Sequence, residues 1–392
     1  MQTNPRRFQA VSDFAPALPA TGKGIGIAVL DSGIAPHPDL DDRVVAQVST
    51  IPNSPGTCDF MGHGTHVASL AAGDGRASRG RFRGMAPDAH LINVRVTAGD
   101  EAGMKLADRY AALVQGLEWV LENRQRYNIR VVNMSVGYPL LAQRGEAGAR
   151  WVDPLDSALR KAAEAGLVIV AAAGNHGDAP NSLAHTPASH PQVITVGSLD
   201  DRGTSEPEDD RVASFSSRGS ALEGALLTKG GPDLLAPGIN LMGAAVSHSV
   251  LEQRNDLALE QAHQLERAED TEIGALARQW LGEFPAEWHS YSADELRQVL
   301  LQRLDPKATA GFLPNGHPGY IALHGTSMSA PIVAGLVACM LEINPNLGPE
   351  EVRRILCQTA RPLPGIDPAS QGAGVIDPAA ALDATRQSER DH

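Results

Sequence analysis

The chain has 392 residues, 42% of them apolar and 20% charged, with a formal net charge of −13 at neutral pH. That is enough apolar material to enclose one large core or two modest ones, which excludes disorder as the main state. The acidic balance disfavours polyanionic partners, so neither nucleic acid nor a membrane surface is expected to bind.

Residues 1–21 carry no apolar leader segment and read as an N-terminal extension. No uninterrupted apolar run approaches the ~18 residues that span a bilayer, and the three cysteines lack C-x-x-C spacing, so reduced thiols and a cytoplasmic location are expected, with a mature secreted form as the alternative. From residue 22 onward, β-branched apolar runs alternate with segments of helical period. Strands are expected over 25–30, 44–48, 90–96, 129–134, 167–172 and 192–196, and helices over 64–72, 105–125, 154–165, 329–343 and 350–359. The alternation predicts a doubly wound α/β fold with a mostly parallel central sheet and helices on both faces. Residues 247–318 interrupt this 22–392 domain with polar, helical text. Ile273, Leu276, Ala277, Trp280 and Leu281 mark one helical face there. Ser292 and Glu295 form a capping box ahead of Leu296, Val299, Leu300 and Leu304. An inserted helical subdomain is expected.

The run IGIAVLDSG puts Asp31 at the C-terminal end of a buried strand, the edge at which open α/β sheets present reactive groups. Asp-Ser-Gly is also half of an aspartic-protease dyad, but no second such motif exists to share the proton. The glycines at 22, 24 and 26 precede the strand, whereas phosphate cradling needs them after it. Next, GHGTHVAS sets His63 at the mouth of a small-residue helix with His66 one turn on. Two imidazoles fall short of a zinc site, while a neutral imidazole is the usual proton acceptor for a hydroxyl nucleophile. GTSMSAP offers that hydroxyl in Ser327, just before an apolar helix. A serine there is ordinarily an N-cap; here its small neighbours let a peptide backbone approach, and the open amides of the first turn can donate to an oxyanion. VIVAAAGN ends a buried strand at Asn175, either a turn residue or a second oxyanion donor.

Taken together, DSG, HGTHVA, AAAGN and GTSMSAP, in the order Asp, His, Ser, resemble the subtilisin-like serine proteases, and that chain order is subtilisin's own. The resemblance covers about residues 22–246 and 319–382 and leaves the insertion outside. It implies a serine endopeptidase acting on protein or peptide substrates with no required cofactor. Ser327 would be the nucleophile, His63 its base, Asp31 the orienting acid and Asn175 an oxyanion donor. It also implies that Ser135, Val136 and Gly137, with Ala172, Ala173 and Gly174, wall the substrate cleft, and that Gly103 borders the other rim. His176 and His185 fall near the pocket floor, where they would favour an acidic or polar residue before the cut. Asp39 matches a calcium-ligating carboxylate of many members, but the loop that would complete that site carries Arg76, Arg79, Arg81 and Arg83, which oppose a divalent cation, so calcium stays an open alternative. The alternatives to hydrolysis are a transpeptidase or peptide cyclase using the same acyl-enzyme, and a catalytically silent scaffold. The 30 residues ahead of Asp31 are fewer than a pro-domain of the family's usual size, so either the chain is an already processed form or restraint of activity is expected from elsewhere. The insertion is expected either beside the cleft, limiting what enters, or as a surface decoration or oligomer contact.

Overall fold

The computed structural model describes residues 10–52, 54, 58–98, 104–145, 148–179, 182–183, 185–204, 206–219, 229–281, 291–303 and 319–390. The runs GIAVLD, HLINVR, IRVVNM and VIVAA are rich in apolar residues and largely buried on both sides of the pleat, as strands covered on both faces must be. The strands are β1 (Gly26–Asp31), β2 (Val44–Ser49), β3 (His90–Arg95), β4 (Ile129–Met134), β5 (Tyr138–Pro139), β6 (Leu141–Gly145) and β7 (Gly148–Val152). They continue with β8 (Val168–Ala172), β9 (His185–Thr186), β10 (Ile194–Asp200), β11 (Arg211–Val212), β12 (Leu234–Pro237), β13 (Leu241–Ala244) and β14 (Tyr320–Leu323). The helices begin with α1 (Val11–Phe14), α2 (His63–Ala72), α3 (Leu106–Asn123), α4 (Asp156–Glu164), α5 (Val250–Arg267) and α6 (Asp270–Leu281). After them come α7 (Ala293–Arg303), α8 (Thr326–Ile343), α9 (Pro349–Thr359), α10 (Pro368–Gln371) and α11 (Pro378–Arg390).

The central sheet runs β11-β10-β8-β4-β1-β3-β2, with β12 also paired to β10, and every pairing is parallel except β10 with β11. Because β8, β4 and β1 are parallel neighbours, the residues that leave their C-terminal ends emerge at one edge of the sheet. Those residues include Asp31, Ser135 and, two and three positions past β8, Gly174 and Asn175. Side chains of α2, α8, α9 and α11 share one core with one face of the sheet, and α3 and α4 cover the other face. Val11, Ala15 and Ala20, from the first described residues, are buried in the same core as β1.

Helix α8 opens at Thr326, three residues earlier than the sequence suggests, so Ser327 lies inside the first turn instead of ahead of it. By length and composition it is apolar enough to cross a membrane, a run the sequence reading does not single out because Ser, Thr and Pro interrupt it; 83% of it is buried within the fold. The insertion leaves the antiparallel hairpin of β13 and β14 after Ala244 and returns at Tyr320. Leu265, Ile273, Ala277, Leu296 and Leu300 form a small core of their own within it, edged by Leu276 and Trp280. The capping box holds, with Ser292 N donating to Glu295 Oε2 at 2.8 Å and Glu295 N to Ser292 Oγ at 3.3 Å. Leu304 lies outside the described residues.

His66 fastens α2 to the hairpin: its Nε2 sits 3.2 Å from Leu241 O and 3.1 Å from Ile321 O, so it carries the proton and donates. Burial, helped by the nearby His63 imidazole, lowers its pKa to about 3. The unfolded chain therefore takes up a proton as pH falls below about 6.5, while the native chain does not until about pH 3. Stability is expected to fall with pH across that window, by about 1.4 kcal/mol per unit from this residue once pH is well below 6.5. Denaturant midpoints at pH 7, 6 and 5 check the slope, and His66→Gln, which keeps a donor but cannot titrate, should flatten it.

Candidate active site

Asp31, 1% exposed at the end of β1, accepts three bonds on one oxygen: Oδ1 lies 2.7 Å from Ser32 N, 3.2 Å from Ser32 Oγ and 2.7 Å from His63 Nδ1. A carboxylate at that distance fixes the imidazole proton on Nδ1 and leaves the lone pair on Nε2. His63 is the first residue of α2, whose N-cap, Gly62, has no side chain with which to bind the open amides. Asp59 supplies the cap from outside the helix. Its carboxylate accepts from Gly62 N, Thr65 N, Thr65 Oγ1 and Ser32 Oγ at 2.7 to 2.8 Å. Burial raises the Asp59 pKa despite those four bonds. Ser32 Oγ also accepts from Gly64 N at 2.9 Å, which ties the DSG turn to the helix that carries the imidazole. The contact is tight enough to demand glycine at 64, where a Cβ would fall 2.2 Å from Gly33 O.

Ser327 reaches the same edge from α8. Pro331, inside that helix, has no N–H to give the carbonyl four residues back, which is that of Ser327. Ser135 Oγ takes its place, donating to Ser327 O at 3.0 Å and receiving from Asn133 Nδ2 at 3.2 Å. This substitute bond lets the helix begin ahead of the proline, and it fixes the Ser327 backbone to the end of β4. Ser327 Oγ makes a long contact, 3.4 Å, to Ser135 O. Asn175 Oδ1 accepts from Thr326 N at 2.9 Å and Thr326 Oγ1 at 3.1 Å, so its Nδ2 remains to donate.

Asp31, His63, Asn175 and Ser327 line one cleft, together with the predicted Ser135 and Val136. Gly137, Ala172, Ala173, Gly174, His176 and His185 lie outside that lining. Gly137 stands against Thr186 O, and the rings of His176 and His185 stack at 4.5 Å and 11°. Burial and then the charge of His176 push the His185 pKa down. Gly103 lies outside the described residues. Sequence reasoning passed over Ser32 and Asp59. An acid three residues before a glycine that opens a helix was the available signal for Asp59.

Asp39 is already engaged within the fold. Its Oδ2 accepts from Tyr320 OH at 2.5 Å and its Oδ1 from Ala77 N at 2.8 Å, so a cation here would have to share both oxygens with those donors. Arg76 adds a fixed positive charge to the same loop, bridging Asp42 at 2.8 Å and Asp74 at 2.7 Å. No group of three or more His, Cys, Asp or Glu side chains converges among the described residues.

The sequence profile described as the subtilase family matches residues 22–374. Serine protease AprX of Bacillus subtilis (strain 168) is 32% identical over 360 residues, 91% of this chain and 66% of AprX. Subtilisin BL of Lederbergia lenta is 34% identical over 221 residues, 56% of this chain and 66% of that protein. Among solved structures, fervidolysin from Fervidobacterium pennivorans, a keratinolytic enzyme related to subtilisin, matches 93% of this chain and 43% of its own at a TM-score of 0.60 and 24% identity, a likeness of fold. MycP1 with its N-terminal propeptide removed matches 95% of this chain and 93% of its own at a TM-score of 0.57 and 25% identity. The chain thus spans just under two thirds of the length of the curated relatives AprX and subtilisin BL. With the profile match running from before β1 to beyond α10, the chain belongs to the subtilase family.

Proposed function

We propose that the chain is a serine endopeptidase that hydrolyses peptide bonds through an acyl-enzyme. The reading is carried by the 2.7 Å bond between His63 Nδ1 and Asp31 Oδ1 in a cleft that Ser327 and Asn175 also line. Ser327 Oγ adds to the substrate carbonyl carbon while its proton passes to His63 Nε2, and Asp31 holds the tautomer and offsets the imidazolium charge. The hydroxyl's present contact, 3.4 Å to Ser135 O, is weak, so turning its proton toward His63 costs little. The carbonyl oxygen, now anionic, receives hydrogen bonds from Asn175 Nδ2 and from Ser327 N–H, one of the first-turn amides that no helical carbonyl can satisfy. Collapse expels the amine, which takes the proton from His63, and water activated by the same imidazole then releases the acid. An extended substrate would pair its backbone with Ser135–Gly137 and Ala172–Gly174, in the manner of an added strand, with the stacked His176 and His185 near the side chain preceding the cut.

For Asn175→Ala, kcat is expected to fall about 10²-fold to 10³-fold with KM little changed, the scale known for the oxyanion asparagine of subtilisin itself. A kcat near that of the wild type removes Asn175 from the oxyanion site. The reading as a whole is tested by labelling with a fluorophosphonate and mapping the adduct by mass spectrometry, followed by analysis of products from a peptide mixture. Ser327 should carry the label and the products should be hydrolysed peptides. A protein that takes no label is a silent scaffold, and joined peptides indicate transpeptidation.

A further inference from the structure

His63 follows a bend, residues 60–62, that has little to hold it in place by itself. Phe60 is 64% exposed, so burial does little to seat it, and Gly62, at φ +85°, has the backbone freedom of a residue without Cβ. Asp59 grips the bend from within, through Gly62 N and Thr65 N. The insertion grips it from the other side. Ser249 is the N-cap of α5, and the first amides of that helix need partners outside it. Ser249 Oγ accepts from Glu252 N at 3.2 Å. The two amides between them go to the bend: Val250 N donates to Phe60 O at 2.9 Å and Leu251 N to Met61 O at 3.1 Å. The approach is close enough that a Cβ on Gly62 would fall 2.7 Å from Ser249 Oγ. This end of α5 is itself firmly seated, since Ser249 is buried and Leu251 packs against the main core while lining the cleft beside Met61 and His63.

We propose that Ser249, Val250 and Leu251 are positioning residues for the base: the first turn of the insertion's leading helix holds the bend at 60–62 and, through it, keeps the His63 imidazole in register with Asp31 and Ser327. The proposal rests on the peptidase reading above. Helix α2 starts at His63 itself, so a swing of the bend passes directly to the residue that carries the ring. The imidazole meets Asp31 Oδ1 at 2.7 Å, and proton transfer tolerates little displacement, since a shift of about 1 Å in a reacting group can cost on the order of 10²-fold in rate. Asp31 and Ser327 have anchors of their own, in Ser32 N and Ser135 Oγ, so His63 is the member of the three that this contact reaches. The insertion thereby acts on the reaction through backbone bonds, with no side chain of its own taking part in the chemistry.

Val250→Pro in the full chain tests this. Proline is well tolerated at the first position of a helix, and Ser249, at φ −67° and ψ 160°, already has the conformation that precedes a proline, so α5 can still form. The change removes the N–H and puts a ring carbon against Phe60 O. On short peptides kcat is expected to fall about 10-fold to 10²-fold with KM little changed. The downfield proton resonance of His63 Nδ1–H, which reports the bond to Asp31, should shift or broaden, a change that a merely structural role would not produce. Ala293→Pro, the same change at the first position of α7, should leave kcat and the resonance as in the wild type, since no described residue of that helix lines the cleft. Replacing Val250 by its α-hydroxy acid exchanges the N–H for an ester oxygen without adding a ring. That variant should lower kcat about fivefold, the scale of one hydrogen bond, and it decides the matter if the proline variant does not fold. Wild-type kcat in the folded variants overturns the proposal and leaves the peptidase reading standing. So does a loss that spares the resonance, or an equal loss in Ala293→Pro. A wild-type chain that cleaves no peptide overturns both.

Discussion

Ser327→Ala is expected to lower kcat/KM on the order of 10⁶-fold, the scale known for loss of the nucleophile in subtilisin itself, while leaving the fold unchanged. The second half of that expectation follows from the contacts. Ser327 Oγ holds only the 3.4 Å contact to Ser135 O, whereas the bond that anchors the residue, Ser135 Oγ to Ser327 O, is made by the backbone and survives the change. Thermal unfolding should therefore match the wild type within about 1 kcal/mol, the net worth of an ordinary hydrogen bond. Active-site labelling should vanish. A variant that still turns over peptides within a hundredfold of the wild type would place the nucleophile elsewhere.

Asp31→Asn should cost roughly 10⁴ in kcat at neutral pH, the scale of the same change in another serine-protease triad. Asp31 Oδ1 already accepts from Ser32 N and Ser32 Oγ as well as from His63. The substitution removes the charge that offsets the imidazolium, and a side-chain amide that turns its N–H₂ toward the ring makes Nδ1 the acceptor and puts the proton on Nε2. The hydroxyl then faces a nitrogen that cannot accept. Because shape is nearly conserved, KM and the far-UV circular dichroism should change little, so the loss reads as one of tautomer and not of folding. A loss under tenfold would mean that Asp31 does not orient the base.

Most of the candidate site was legible in the sequence because each of its residues sits where a regular element begins or ends. A six-residue apolar strand that stops at Asp31, a small-residue helix that starts at His63 and a strand that stops two residues before Gly174-Asn175 are all patterns of hydrophobicity meeting a polar group. The start of α8 was less legible. Pro331 reads locally as a first-turn residue, and only the long-range bond from Ser135 to Ser327 O explains why the helix opens before it. Asp59 and Ser32 were overlooked for the same reason: their partners, Thr65 and Gly64, are bound across a turn whose folding the sequence does not declare. The insertion was readable as helical from the spacing of Ile273, Ala277 and Leu296, which form its core. That its first turn would return to Phe60 and Met61 was not, since those bonds are between backbone groups that every residue carries.

The central claim is that Asp31, His63 and Ser327, brought together from the ends of three elements, act as one unit. A double-mutant cycle on kcat/KM tests it most directly. Groups that share one proton transfer are strongly non-additive, so His63→Ala, Ser327→Ala and the double variant should all fall to about the same residual rate. Losses that multiply, with the double variant slower than either single one by the full factor of the other, would mean that the imidazole and the hydroxyl work independently.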